Sequence, residues 1–357
     1  MSLPLADPPD SICVIRLSAL GDVSHMVPVI RTLQSAWPAC NITWIIGSLE
    51  AGLVGDLPGV EFIIFDKAKG WRAFREVRTT LKNRRFDVLL HMQVATRASL
   101  ISLFVKAPLK LGFDKARAHD RQWLFTNQRI APKPNQHVLD GFFGFIEALG
   151  IYQRQLHWDI PISGDDAGFA DRHLPDNDPL LVINPCTSQR ARNWRNWPAE
   201  RYATVADYAF ERHGLRTVLT GGPNSRERQM AADIGTYVRH PLIDLVGRTS
   251  LKEMLAVLQR ADIVIAPDTG PAHMATAVGT PVVGLYASSN PLRTGPYLSQ
   301  HYVVNKYPEA LRMHSGKTVE TAKWGERVRH PAAMELISVD DVKAMLDKAI
   351  TDKKNNK

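Results

Sequence analysis

The sequence has few cysteines and no long apolar run. Its three cysteines, Cys13, Cys40 and Cys186, are widely spaced, which favours neither a disulfide framework nor a metal site. No apolar stretch reaches the length that spans a bilayer. The first residues, MSLPLADPPD, lack the basic and apolar segments of a secretory signal. We therefore expect a folded protein of a reducing cytoplasm, rather than an integral membrane protein or a disulfide-rich secreted one.

Acidic residues are scarce in one part of the chain. Residues 67–133 hold 16 Lys or Arg and four acids, a local net charge of +12. The whole chain carries +8, so the rest sums to −4. A positive field concentrated in one half favours an anionic partner, such as phosphates on lipid, sugar or nucleic acid.

Short apolar runs alternate with helical patterns, which is typical of parallel sheets covered by helices on both faces. The first series contains the strand-like runs SICVIRL, ITWII, VEFIIF and FDVLLH. A polar stretch rich in Pro, Asp and Gly follows Gly150, and the alternation then restarts with LLVINP, LRTVLTGG, ADIVIAP and PVVGLY. This layout predicts two doubly wound α/β domains, joined near residues 160–178.

We place the first domain at residues 1–165 and the second at residues 166–335. A last helical pattern, SVDDVKAMLDKAI, falls within residues 336–357, and packing back on the first domain is one arrangement for it. Ligands of such sheets bind beyond the carboxyl ends of the strands. Two domains that face each other would therefore hold a ligand in the cleft between them.

The turn after the first predicted strand carries an acid. RLSALGDVSH, residues 16–25, lacks the G-x-G-x-x-G fingerprint of a dinucleotide site. Gly21 allows a tight turn. Asp22 then has two interpretations: it caps the helix that follows, or it places a carboxylate at the mouth of the cleft, where it takes a proton from a hydroxyl.

A second turn, in IAPDTGPAHMATAVG, suits a phosphate. The segment predicts a strand, the turn Asp268-Thr269-Gly270 and a helix of small residues. The free amides and positive dipole at the start of that helix favour a diphosphate, whereas Asp268 is suited to sugar hydroxyls. The alternative is a capped turn without a ligand. For His273, a packed histidine is the simpler interpretation.

Two further turns follow strands of the second domain. In NPCTSQRARNWRNWP, the hydroxyls of Thr187 and Ser188 precede three arginines whose planar groups match phosphate oxygens; they are Arg190, Arg192 and Arg195. The alternative is a solvated basic loop. In TGGPNSRERQ, Glu227 is either a ribose ligand or an acid that the helix dipole favours in a first turn.

The pattern WRAFREVRTTLKNRR predicts a helix with a cationic arc. At 100° per residue, one arc contains Arg75, Arg78, Lys82 and Arg85. The plain interpretation is a solvated face. The surrounding charge, together with Lys115, Arg117 and Arg121, favours a surface that docks phosphates.

Taken together, RLSALGDV, the NPxTS…RNWP stretch, the GGPxxxxE turn and PDTGPAHMATAVGTPVVGLY resemble the bacterial heptosyltransferases of the lipopolysaccharide inner core. The resemblance extends over about residues 11–350. It implies the GT-B fold, which consists of two Rossmann-like domains facing across a cleft. It also implies an inverting, metal-independent transfer from ADP-L-glycero-β-D-manno-heptose to Kdo or phospho-Kdo on lipid A, at the cytoplasmic face of a Gram-negative inner membrane.

The resemblance implies roles for individual residues. Asp22 matches the proposed base. Arg195, or its rival Arg192, matches the cation that meets the diphosphate. The other donor positions are Thr187, Ser188, Glu227, Asp268, Thr269, Gly270 and His273. Gln93 and Arg97 match positions near the acceptor, where many members carry an acid at the place of His91. The remaining acceptor positions come from the cationic surface, namely Arg75, Arg78, Lys82, Arg117 and Arg121.

Other functions remain open at this stage. Within the resembled family, the acceptor is alternatively a later core sugar or a protein. A nucleotide-sugar epimerase of the GT-B fold would need no lipid acceptor. The basic composition also fits a nucleic-acid-binding protein, but the aromatic residues are not interleaved with the basic stretch and no recognisable module is present.

Overall fold

The computed structural model describes residues 3–176, 178–187 and 194–355. It divides between Pro161 and Ile162 into two compact units. Among the described residues, none of the helices combines the length and the apolar composition that crossing a bilayer requires.

The first unit contains six strands: β1 (Ser11–Ile15), β2 (Asn41–Gly47), β3 (Val60–Phe65), β4 (Val88–His91), β5 (Leu109–Gly112) and β6 (Gln128–Arg129). Its helices are α1 (Leu20–Ala36), α2 (Ser48–Val54), α3 (Trp71–Leu81), α4 (Thr96–Ser102) and α5 (Val138–Leu149). Short 3₁₀ turns occupy Lys67–Lys69 and Gln122–Leu124.

These strands form one parallel sheet in the order β3-β2-β1-β4-β5-β6. The central strand β1 is apolar along its length, and its residues from Ile12 to Ile15 are fully buried because helices cover both faces. From β1 the chain builds β2 and β3 on one side and then returns to build β4, β5 and β6 on the other. The loop after β1 therefore lies at the topological switch point, where α/β sheets bind their ligands.

The second unit contains β7 (Leu180–Ile183), β8 (Arg216–Leu219), β9 (Leu242–Asp244), β10 (Ile263–Pro267), β11 (Val282–Tyr286) and β12 (Val304–Asn305). Its helices are α6 (Gly164–His173), α7 (Ala199–His213), α8 (Ser225–Tyr237), α9 (Leu251–Arg260), α10 (Gly270–Ala277), α11 (Pro291–Thr294), α12 (Tyr307–Ser315) and α13 (Val339–Asn355). Short 3₁₀ turns occupy Tyr297–Tyr302 and Pro331–Leu336.

The second sheet is also parallel, in the order β12-β11-β10-β7-β8-β9. Relative to the first strand of each unit, this is the same doubly wound order as in the first sheet. The predicted α/β class with two doubly wound sheets is therefore confirmed.

The stretch that reads as a linker contains a helix. Helix α6 begins after Ser163, whose hydroxyl accepts from the Asp166 backbone amide at 3.1 Å, while the Asp166 carboxylate accepts from the Ser163 amide at 3.2 Å. This reciprocal capping box starts a helix in spite of the polar composition. Helix α6 packs against α9 within the second unit.

Helix α13 buries its apolar side within the second unit. Val342, Leu346 and Ala349 belong to the core cluster that also contains Trp197 and Tyr202 of the α7 region. The Trp197 indole donates to the Ile337 carbonyl at 3.0 Å, just before the helix begins. The sequence left open whether this helix packs on the first domain. In the structure it contacts α7, β11 and β12 of the second unit.

Helix α3 is shorter than the sequence pattern indicates. It ends at Leu81, so Arg85 does not lie on the helix and the predicted arc of four cations is wrong at that position. Lys82 is its carboxyl-terminal cap. The Lys82 amide donates to the Thr79 carbonyl and the Arg84 amide to the Leu81 carbonyl, so the last bonds span three residues instead of four. The helical part of the arc therefore comprises Arg75 and Arg78, with Lys82 at its end.

Candidate active site

Asp22 lies in the first turn of α1, directly after the switch-point strand β1. Ala19 is the residue that caps the helix, and Asp22 is the third helical residue. Its carboxylate accepts from the Ala19 amide at 3.5 Å and from the Arg16 guanidinium. The Asp22 side chain is 31% exposed, so solvent or a substrate hydroxyl can reach it while both partners hold it.

Arg16 connects Asp22 to the neighbouring strand. Its side chain is only 11% exposed, and its Nη1 donates to the Met92 carbonyl at 2.7 Å, just after β4. The guanidinium also lies 4.9 Å from the centre of the Phe142 ring. The sequence motifs do not single out Arg16. The available signal was a cation directly after a buried apolar strand, because a buried cation requires an anionic or polar partner.

Gln93 reaches the same turn from the end of β4. Its Oε1 accepts from the Leu17 amide at 2.6 Å, and its Nε2 donates to the Ser18 hydroxyl at 3.2 Å. The structure therefore brings together Gln93 and Asp22, which the sequence assigned separately to acceptor binding and to proton transfer. Gln93 fixes the backbone of the turn from which Asp22 projects.

His91, the last residue of β4, is fully buried two residues before Gln93. Burial lowers the pKa of His91 to about 4, so the ring is neutral near pH 7. Its Nδ1 accepts from Gln122 Nε2 at 3.1 Å, which places the ring proton on Nε2, 3.2 Å from the Ser99 hydroxyl. Gln122 also donates to the His91 carbonyl at 2.8 Å and so ties the ends of the strands together.

Several predicted acceptor cations are exposed. Arg97 lies in the first turn of α4, with its guanidinium 6.0 Å from the Phe65 ring centre. Arg75, Arg78 and Lys82 are exposed, and none forms an ion pair with another described residue. These four cations are available to an anionic ligand.

Arg117 is instead engaged inside the first unit. It pairs with Asp114 and donates to Gln136 Oε1 at 3.1 Å and to the Ala131 carbonyl at 3.3 Å. Arg121 is exposed beside it in the chain. A cavity of about 620 Å³ lies after β5 and β6, lined by Asp114, Lys115, Ala116, Arg129, Ile130 and Pro132.

In the second unit, Asp268 follows β10 and is held by arginine. Its side chain is 9% exposed. Arg195 Nη1 donates to the Asp268 carbonyl at 2.7 Å and to Oδ2 at 3.2 Å, and Arg327 Nη2 lies 3.9 Å from the same Oδ2. Asp268, which was predicted to bind sugar hydroxyls, and Arg195, which was predicted to bind the diphosphate, therefore contact each other directly. Ser188 and Arg192 lie outside the described residues.

The start of α10 has the features of an anion site. Thr269 caps the helix, is 8% exposed, and its hydroxyl has no hydrogen-bond partner among the described residues. Gly270 and Pro271 begin the helix, with no acid in the first turn. A buried hydroxyl without a partner is costly in a folded protein, so it indicates a ligand position. His273 is buried one turn further on.

Thr187 and Glu227 contact their own loops. The buried Thr187 donates from its amide to Asn196 Oδ1 at 3.1 Å. Glu227, the third residue of α8, accepts from the Gly222 amide at 2.5 Å and from the Asn224 side chain. These contacts match the first-turn interpretation of Glu227, and its assignment to ribose stays a prediction.

The two units offer complementary chemistry. The first presents a partly exposed carboxylate and, elsewhere on its surface, exposed cations, and the second presents a helix start, a buried hydroxyl and two arginines. The first unit by itself can therefore accept a proton, and the second by itself can hold an anionic group. Among the residues that the structure describes, no three His, Cys, Asp or Glu side chains are grouped as metal ligands.

Comparisons with known proteins give consistent results. The sequence model described as glycosyltransferase family 9 (heptosyltransferase) matches residues 74–323. The chain is 38% identical, over 97% of its length and 99% of the relative, to the lipopolysaccharide core heptosyltransferase OpsX of Haemophilus influenzae.

Solved structures share the fold. One is a glycosyl transferase family 9 protein from Veillonella parvula, with a TM-score of 0.78, 25% identity and coverage of 96% of this chain and 97% of that one. Another is the E. coli ADP-heptose lps heptosyltransferase II, with a TM-score of 0.71, 20% identity and coverage of 96% and 99%.

Proposed function

The chain belongs to glycosyltransferase family 9, the heptosyltransferases, and acts in lipopolysaccharide core synthesis; we propose that it transfers L-glycero-D-manno-heptose from ADP-L-glycero-β-D-manno-heptose to Kdo, or phospho-Kdo, of lipid A. The observation that carries this proposal is the partly exposed Asp22 carboxylate, held by the buried Arg16 at the switch point of the first sheet. A turn of this kind needs only a small residue such as Gly21.

In this mechanism Asp22 is the general base. The acceptor hydroxyl attacks the anomeric carbon on the side opposite to ADP and gives its proton to the Asp22 carboxylate. As the new C–O bond forms, the bond from the anomeric carbon to the diphosphate oxygen breaks. The electron pair of that bond leaves with ADP, so the products are ADP and a glycoside of inverted anomeric configuration.

The second unit binds the donor. Gly270 and the Thr269 hydroxyl, at the amino-terminal end of α10, contact the diphosphate, whose growing negative charge the helix dipole favours. Arg195 supplies the positive charge as the bond to ADP breaks, which makes the transfer independent of a metal ion. Asp268 accepts hydrogen bonds from hydroxyls of the heptose. Thr187 and His273 complete the donor side, and Glu227 reaches the ribose.

The first unit binds the acceptor. Gln93 contacts the turn that carries Asp22, and Arg97 contributes a further cation to the acceptor. The exposed Arg75, Arg78, Lys82 and Arg121 attract the phosphates and carboxylates of Kdo and lipid A. This surface brings the protein to the cytoplasmic face of the inner membrane. Arg117, which pairs with Asp114, contributes by shaping the neighbouring cavity.

The decisive experiment incubates the protein with ADP-heptose and lipid A that carries one or two Kdo units. A product heavier by one heptose, together with one ADP per transfer, supports the proposal. Transfer only to a core already carrying heptose would assign the protein to a later core sugar, and glycosylation of a protein acceptor alone would place it among protein-modifying enzymes. Conversion of the donor into another sugar without an acceptor would identify an epimerase.

A further inference from the structure

Arg327 reaches the donor side of the second unit from a segment that the sequence motifs do not include. The residue lies between α12 and the 3₁₀ turn Pro331–Leu336, beyond the residues that the family model matches. The amide of the neighbouring Val328 donates to the Ser288 carbonyl at 2.9 Å, so this segment runs beside the carboxyl end of β11. From there the Arg327 guanidinium extends to the Asp268 carboxylate, with 3.9 Å between Nη2 and Oδ2.

Asp268 needs a cation while the donor is bound. Its side chain is only 9% exposed, and a buried carboxylate without a charged partner is strongly unfavourable. Of the two arginines, Arg195 is the nearer partner, with 3.2 Å between Nη1 and Oδ2. The proposed reaction directs Arg195 towards the diphosphate, whose two phosphates compete with Asp268 for the same guanidinium.

We infer that Arg327 is a positioning residue that keeps the Asp268 carboxylate paired and directed at the hydroxyls of the donor sugar while Arg195 binds the diphosphate. The inference rests on the proposed function and deepens it. Arg327 acts through Asp268, so its contribution concerns recognition of the sugar. It contributes little to recognition of the nucleotide.

The packing around Arg327 separates this role from a structural one. Val328 is buried and its amide is paired, so the backbone holds the segment in place without the Arg327 side chain. The Arg327 side chain itself is 41% exposed. Replacing its guanidinium removes a charge beside Asp268 while the paired Val328 amide still holds the segment, and a melting curve of the variant checks the local fold.

The test compares binding of two ligands, ADP and ADP-heptose, to the full chain by titration calorimetry. We expect Arg327→Gln to weaken binding of ADP-heptose about fivefold, the upper end for the loss of one partly exposed ion pair, and to leave ADP binding unchanged. The KM for ADP-heptose should rise while kcat changes less. Arg327→Lys, which keeps the charge, should restore most of the affinity. Arg329→Gln removes an exposed arginine two residues away and is the matched control.

Equal weakening of ADP and ADP-heptose in Arg327→Gln would make Arg327 a diphosphate ligand and overturn the inference. Unchanged binding of both, with an unchanged melting temperature, would make it a bystander and also overturn it. If the unaltered protein binds neither ligand, the proposed function itself fails. The behaviour of the unaltered protein thus distinguishes the two failures.

Discussion

Replacing Asp22 by Asn tests the central assignment, because it removes the charge and keeps the shape of the side chain. Loss of a general base lowers the rate by about 10²–10⁴. Asn still accepts a hydrogen bond from Arg16 but takes no proton from the acceptor hydroxyl. We therefore expect kcat to fall in that range. ADP binding should not change, because the proposed donor residues all belong to the second unit.

Asp22→Asn should lower the free energy of unfolding only modestly, so the loss of stability can be distinguished from the loss of kcat. The Arg16 and Asp22 side chains are 11% and 31% exposed, so their ion pair lies between a surface pair and a buried one. Loss of the charge then costs about 1–2 kcal/mol. For a unit of this size, such a loss lowers the melting temperature by about 2–8 °C. The variant should consequently remain folded at an assay temperature of 25 °C.

The measurement is ADP release under saturating acceptor, with calorimetry for ADP and a melting curve for each variant. Glu61→Gln is the matched control. It breaks an arginine–carboxylate pair with Arg84 near the amino end of β3, away from the edge that carries Asp22. This control should lose stability and keep its kcat. If Asp22→Asn retains kcat within about tenfold of the unaltered protein, Asp22 is only a first-turn acid that pairs with Arg16, and the mechanism is wrong.

Three further predictions address donor binding, acceptor binding and the stability of the first unit. Asp268→Asn should weaken ADP-heptose about tenfold relative to ADP in calorimetry; equal loss of both would remove Asp268 from sugar binding. Arg75→Glu combined with Arg78→Glu should raise the acceptor KM at least tenfold at low salt, with the donor KM unchanged; a constant acceptor KM would exclude this surface. The unfolded chain protonates histidine below about pH 6.5, but buried His91 resists protonation down to about pH 4. Stability to urea should therefore fall by up to about 3 kcal/mol between these pH values; His91→Gln should reduce this slope, and an equal slope would contradict it.

The fold was predictable because its signals are local and repeated. Apolar strands separated by amphipathic helices require parallel sheets, and both six-stranded sheets follow this rule. The missed elements depended on single contacts. Helix α6 begins because Ser163 and Asp166 cap each other inside a polar stretch, and α3 ends at Leu81 although its cationic pattern continues to Arg85. Composition alone does not show where a helix begins or ends.

The candidate site was predictable where a motif spans neighbouring residues. The turns that contain Asp22, Asp268 and Thr269 each follow a strand, so their place at the carboxyl edge of a sheet follows from the topology. Arg16 and Arg327 were missed for a different reason. Arg16 pairs with the nearby Asp22 but also reaches the Met92 carbonyl, and Arg327 reaches Asp268, both of which are far away in the chain. A lone arginine in a sequence does not indicate which carbonyl or carboxylate it will meet.

The chemistry of the first helical turn explains why two units of one topology take opposite parts in the proposed reaction. Helix α1 carries Asp22 in its first turn, so the protein's own carboxylate already compensates the positive end of the helix dipole. Helix α10 has no acid there and leaves the Thr269 hydroxyl without a partner among the described residues. An anionic leaving group is therefore repelled from the first helix start and attracted to the second, whereas a neutral hydroxyl that must lose a proton suits only the first. Exchanging the acid between the two turns should consequently weaken donor binding, although Arg195 would still contribute, and lower the rate of proton transfer.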